Sequence, residues 1–195
     1  MKATSRLLGC VAVAALSTPL AMPLSAQHAA DPRIAEAIRP LPDDLQAAAT
    51  VVVYDAKTGA RNVLRQGTNM MECQPKNPAD GFTRCYHKML APRRDLEAKL
   101  RAQGKKDEEV SAAVADALKA GTLKAPPFGT MSYRLSDDKG RIQKLWVMSV
   151  PNATPESIGV STSSQREEAL MGKGLPWLML PGTPSAHVMI PINSK

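Results

Sequence analysis

Aromatic side chains are scarce in this chain: Phe, Trp and Tyr together make up 4% of its 195 residues. That leaves few rings for the base-stacking platforms of single-stranded nucleic-acid readers. Histidine and cysteine are limited to three each. The sequence has no G-x-G-x-x-G, no G-x-x-x-x-G-K-[ST], no H-E-x-x-H and no G-x-S-x-G, so the nucleotide, zinc-protease and serine-hydrolase readings lose their local support. No cofactor is expected. Outside the N-terminus no apolar run approaches the roughly 20 residues that a membrane span needs. A chain of this size buries one core and cannot hold an ordinary catalytic barrel.

What is present begins with a leader. Lys2 and Arg6 precede an apolar stretch from Leu7 to Leu16, and Leu24-Ser25-Ala26 ends it before Gln27. This is the pattern of a cleavable secretory signal over residues 1–26. Lipidation at Cys10 is the weaker alternative, because Cys10 lies ahead of most of the apolar run. Cleavage would remove 26 of 195 residues and leave 169 in a single domain, residues 27–195. Lys2 and Arg6 leave with the signal, so 23 of the 25 basic residues face 18 acidic ones and the formal charge falls from +7 to +5. So mild an excess does not point to nucleic acid. A periplasmic or secreted protein with no membrane span in its mature chain is expected.

Export gives the cysteine count meaning. Cys73 and Cys85 remain as an even pair in an oxidising compartment, and their spacing is neither C-x-x-C nor that of a zinc finger. A disulfide closing a Pro-, Asn-, Asp- and Gly-rich loop over Gln74 to Arg84 is expected.

Hydrophobic periodicity predicts an α+β domain. Asp31-Pro32 opens a short helix that Pro40 and Pro42 end. Thr50–Asp55 with Arg61–Arg65, Gly129–Leu135 with Ile142–Val150, and Trp177–Leu180 with Ala186–Ile192 read as three hairpins of an antiparallel sheet. Leu96 and Leu100, then Val110, Val114 and Leu118, mark a helical hairpin inserted at about 90–120, with Asp107 as the cap of its second helix. Its seven basic and six acidic residues between Arg93 and Lys119 read as a solvated outer face. Ser164 and Glu167 offer a capping box for a helix through Met171.

Candidate chemistry is sparse. Ser136-Asp137-Asp138-Lys139 matches S-x-x-K but falls in a hairpin turn. Asp43-Asp44 and Glu108-Glu109 lie at helix starts, where the dipole accounts for them. His87 and His187 are each followed two places on by methionine, Met89 and Met189. Imidazole with thioether suits Cu(I), and in a strand His187 and Met189 share a face. The competing reading makes Met189 a core filler and His187 a hydrogen-bonded structural residue.

Two stretches resemble an uncharacterised family of secreted bacterial proteins: Leu64-Arg65-Gln66-Gly67-Thr68-Asn69 with Cys73, Pro75 and Cys85, and Pro176 to Met179 with Gly182-Thr183-Pro184, Ala186-His187, Met189 and Pro191. The resemblance implies an exported domain with paired cysteines and an Ala-His-x-Met strand, and implies no activity. The Tyr86-His87-Lys88 segment departs from the family pattern, which makes His187 the better candidate. A non-catalytic exported binding or structural module is therefore expected. Its candidate binding residues are His187, Met189, Thr68, Asn69 and Thr183, and its partner is unknown. The alternative is a copper-handling protein or small enzyme using His187.

Overall fold

The computed structural model describes residues 31–192, apart from 139, 141, 165–166 and 169–173. The expected leader lies outside the described residues, as does most of the expected Ser164 to Met171 helix. The fold is α+β, with an eight-stranded, mostly antiparallel sheet. In chain order the strands are β1 (Thr50–Tyr54), β2 (Arg61–Arg65), β3 (Met71–Gln74), β4 (Phe82–His87), β5 (Met131–Ser136), β6 (Lys144–Ser149), β7 (Trp177–Met179) and β8 (His187–Ile192). Across the sheet they run β2-β1-β3-β4-β5-β6-β8-β7.

Two features depart from the expected antiparallel set of three hairpins. First, β1 and β3 are parallel, pairing Thr50 with Glu72 and Val51 with Cys73. After β2 the chain crosses the start of β1 to enter β3, and Gly67 makes that crossing possible: a Cβ there would sit 2.3 Å from the Ala48 carbonyl oxygen. The Gly67 amide donates to Thr50 Oγ1 at 3.1 Å, and the Thr68 and Asn69 amides donate to the Ala48 oxygen. Second, the expected cysteine loop is a hairpin. Cys73 and Cys85 are directly opposite each other on β3 and β4 and form a disulfide. Four-residue β3 was too short and too polar, between turn-forming neighbours, to read as a strand.

Side chains alternate across a strand, so the sheet has two faces. On one, α1 (Pro32–Ile38) packs Ile34 and Ala37, with Leu41 beyond it, on Val51, Met71, Cys73, Cys85 and Tyr133. Its Asp31 cap accepts from the Arg33 amide at 2.9 Å. The short α2 (Asp43–Gln46) follows. Farther along this face Val150, Leu178, Ala186 and Val188 form a second apolar cluster.

The opposite face is covered by α3 (Ala91–Ala102), which follows β4 through a 3-10 turn at Lys88–Leu90, and α4 (Asp107–Lys119) packs against α3. Asp107 is the first residue of α4, not its cap. Glu109 instead accepts from the Lys106 amide at 3.0 Å. Asp95, Lys99 and Arg101 of α3 are exposed, as the solvated-face reading expects, but Glu97 turns inward and is 6% exposed. The β1–β2 turn abuts α3: at Gly59, with φ of +70°, a Cβ would lie 2.6 Å from the Lys99 Cα. None of the three apolar clusters among the described residues draws a side chain from α3 or α4. A short helix, α5 (Pro155–Ile158), follows β6.

Candidate functional site

Under α3 the sheet presents polar and charged side chains. Glu72 and Gln74 on β3 stand opposite Tyr86 and Arg84 on β4. Tyr86 and Arg84 in turn face Ser132 and Arg134 on β5, and on β6 and β8 Ser149 faces His187. Beyond them the same face becomes apolar, with Leu145, Val147, Trp177 and Met189 clustered together.

Glu72 is 1% exposed and is held by two donors. Arg61 makes a two-pronged ion pair with it, and the Tyr86 hydroxyl donates to Oε1 at 2.7 Å. Gln74 Nε2 donates to the Tyr86 oxygen at 3.0 Å, and Tyr54 donates to Asp95 at 2.6 Å. Burial first, then the neighbouring carboxylate, pushes both phenols above their ordinary range, so both remain donors. This network is fully paired and reads as structural.

The arginines next to it are not matched in the same way. Arg84 and Arg134 are cross-strand partners, a placement that costs energy for like charges. Arg84 is neutralised by a two-pronged pair with Asp80. Arg94 lies over the Tyr86 ring at 5.3 Å and donates to Glu97 at 2.8 Å, while its Nε is buried with no acceptor. Arg93 also donates to Glu97, at 2.9 Å. Burial works against the charged Glu97, but the Arg94 and Arg93 guanidiniums outweigh it and hold the carboxyl below its usual range. No salt bridge or hydrogen bond joins the Arg134 guanidinium to another described residue. Burial, reinforced by Arg84 and Arg94, pulls its pKa down to about 10.

Cavities follow this face among the described residues. One, about 410 Å³, lies between β1, the residues 75–78 and α3; its walls include Val52, Tyr54, Pro75, Ala98 and Ala102. A second, about 140 Å³, shares Tyr54, Gln74, Asn77, Ala98 and Arg101 with it and reaches Arg84, Arg94 and Arg134. Arg94 and Arg134 also wall a third, about 60 Å³, with Arg93, Ser132, Ser149 and His187.

The expected candidates are dispersed. Thr68 and Asn69 precede β3, and His187 lies four strand positions away, roughly 19 Å at the usual strand spacing. The first and last hairpins therefore do not adjoin, and these residues form no common site. Asn69 holds the α2–β1 connection, donating to the Leu45 oxygen at 2.8 Å and accepting from the Met71 amide at 2.9 Å. Thr183 shapes its own turn: its hydroxyl donates to the Leu180 oxygen and accepts from the Ser185 amide. Met189 shares the His187 face but is buried with Trp177. Among the described residues no group of three or more His, Cys, Asp or Glu side chains could hold a metal ion. His87 Nδ1 accepts from the Met89 amide at 3.2 Å.

His187 lines the 60 Å³ cavity. Its Nδ1 lies 2.8 Å from the Ser185 carbonyl oxygen, a contact that requires Nδ1–H and leaves the Nε2 lone pair free. Burial first, then the Arg134 and Arg93 charges, depresses its pKa against the opposing pull of that hydrogen bond. Arg84, Arg94, Arg134 and Glu97 were missed in the sequence. Their available signal was an arginine in the middle of each of two strands and an Arg-Arg-x-x-Glu step on a helix. Comparison of the chain with protein-family models, with curated proteins and with solved structures finds no match.

Proposed function

We propose that this is an exported, disulfide-stapled binding module that takes a small organic ligand in the cleft between α3 and the polar face of the sheet. One observation carries the reading: the 410 Å³ and 140 Å³ cavities share five wall residues, giving a concave site of ligand size with an apolar chamber and a convergent polar end. The buried Cys73–Cys85 bridge and the absence of a described helix long and apolar enough to cross a membrane agree with export. The reading is of a binding role, with His187 held at Nδ1 by the Ser185 carbonyl. The helical pair is proposed as an insertion whose first helix, α3, roofs the cleft.

Thermal-shift screening of the purified protein against anionic, neutral and cationic metabolites tests the reading. Ligands should raise the melting temperature of the wild type and lose that effect in Ala98→Trp, which fills both cavities. No hit in any charge class, or hits indifferent to Ala98→Trp, would remove the proposal. Replacing residues 91–121 by a short Gly-Ser link should leave a cooperative transition with no ligand response. Loss of cooperative melting would place the helices in the main core.

A further inference from the structure

The 60 Å³ cavity differs from its neighbours in having no carboxylate in its wall. Arg93, Arg94 and Arg134 converge on it, together with Ser132, Ser149 and His187. Arg93 and Arg94 are shared with Glu97, whereas the Arg134 guanidinium and the Ser132 and Ser149 hydroxyls make no side-chain hydrogen bond to another described residue. His187 spends only Nδ1 on the protein. The Arg134 N–H groups and the two hydroxyls thus face a small space whose wall holds no carboxylate, beside the unshared Nε2 of His187.

We propose that Arg134, Arg94, Ser132, Ser149 and His187 form a binding site for a compact tetrahedral oxyanion, phosphate or sulfate. The anion is either free or the terminal group of a larger ligand whose body reaches the 140 Å³ cavity past Arg94 and Arg134. In the second form the proposal rests on the cleft reading given above; in the first it does not. Planar guanidiniums match such oxygens with paired N–H donors, and serine hydroxyls serve as additional donors. His187 completes the set: neutral, its Nε2 accepts from the O–H of a protonated phosphate, and charged, it donates to phosphate or sulfate. The small volume of the cavity, about 60 Å³, suits a compact anion.

Inorganic phosphate, sulfate and glycerol 3-phosphate are compared with chloride at equal ionic strength, by melting temperature and by the pH titration of the His187 ring proton signals. At about five times its dissociation constant, a bound oxyanion should raise the wild-type melting temperature by about 2–4 °C and shift the His187 titration to higher pH. Arg134→Met should weaken binding by about tenfold or more without lowering the melting temperature in chloride, since it removes a buried charge opposite Arg84. Ser149→Ala should weaken binding by a smaller factor and supplies a second reading should the arginine variant fold poorly. Ala102→Trp, which fills only the large chamber, should leave inorganic phosphate binding unchanged. Its failure to block organic ligands would count against the cleft alone. Tighter binding of glycerol 3-phosphate than of phosphate identifies a terminal group, and the reverse identifies the free anion. Equal shifts in chloride and phosphate, no shift of the His187 titration, or equal phosphate protection in wild type and Arg134→Met would overturn the proposal.

Discussion

On one face of the sheet Val51, Cys73, Cys85 and Tyr133 meet Ile34 and Ala37 of α1, while on the other Glu72, Arg84, Tyr86 and Arg134 lie beneath α3. The two sets alternate along the same strands, yet one side is an apolar core closed by a covalent bridge and the other a charged layer. Stability on the first face comes from area removed from water, which is non-directional and tolerant. On the second face it depends on each buried charge having a partner, and removing one partner is costly. The charged layer contains two regimes. Around Glu72 every group is matched, whereas around Arg134 the guanidiniums of Arg84, Arg93 and Arg94 outnumber the nearby carboxylates of Asp80 and Glu97, the excess on which the proposed anion site rests.

The largest effect should come from breaking the matched part of the charged layer. Arg61→Ala leaves the Glu72 carboxylate buried beside Tyr86 alone and should cost about 3–5 kcal/mol, read from urea unfolding. The double change Arg61→Met with Glu72→Leu should recover most of the loss. If the single change costs less than about 1 kcal/mol, the layer is better solvated than its burial indicates.

Next comes the apolar face. Cys73→Ala with Cys85→Ala should cost on the order of 3 kcal/mol through loop-closure entropy, lowering the melting temperature by roughly 6–12 °C. Reductant should reproduce the loss in the wild type and do nothing further to the double variant. A reductant-insensitive wild type would show the bridge to be dispensable.

The smallest effect should come from the edge of the charged layer. His187→Ala removes the bond to the Ser185 carbonyl and should cost about 1 kcal/mol near neutral pH. Because the folded protein holds the His187 pKa below its ordinary 6.5, the unfolded chain takes up the proton first. Stability therefore falls as pH drops from 6.5 through the folded value. Glu97, whose pKa is also held down, contributes stability that is present above its ordinary 4.5 and is lost as pH falls through its folded value. His187→Ala should flatten the upper part of the acid limb and leave the lower part intact, and Glu97→Gln should do the reverse. A single limb unaltered by either change would refute both assignments.

Much of the framework was legible in the residues. Asp31-Pro32 capped α1 as its chemistry dictates, and Thr50–Tyr54 and His187–Ile192 are strands because β-branched and apolar residues dominate them. The even pair of cysteines announced its bridge. The Leu64 to Asn69 segment, one of the two stretches that carried the resemblance, has structural work: Gly67 is small where the chain crosses β1, Arg65 donates to the Gln46 and Ala49 carbonyls, and Asn69 ties α2 to β3. The strand of His187 was legible, but not its neighbours.

By itself the sequence determined local matters: where helices start, which runs are extended, which cysteines can pair and which face of β8 carries His187 and Met189. Each depends on residues within a few places of one another, where periodicity and capping act. Only the tertiary structure decided that β3 runs parallel to β1, that Arg84 and Arg134 stand opposite each other, and that Arg94 and Glu97 close over them. Those placements depend on strand order and on which helix face turns inward. They follow from the balance of the whole sheet, in which charges distant in sequence become neighbours in a space that water does not fully reach.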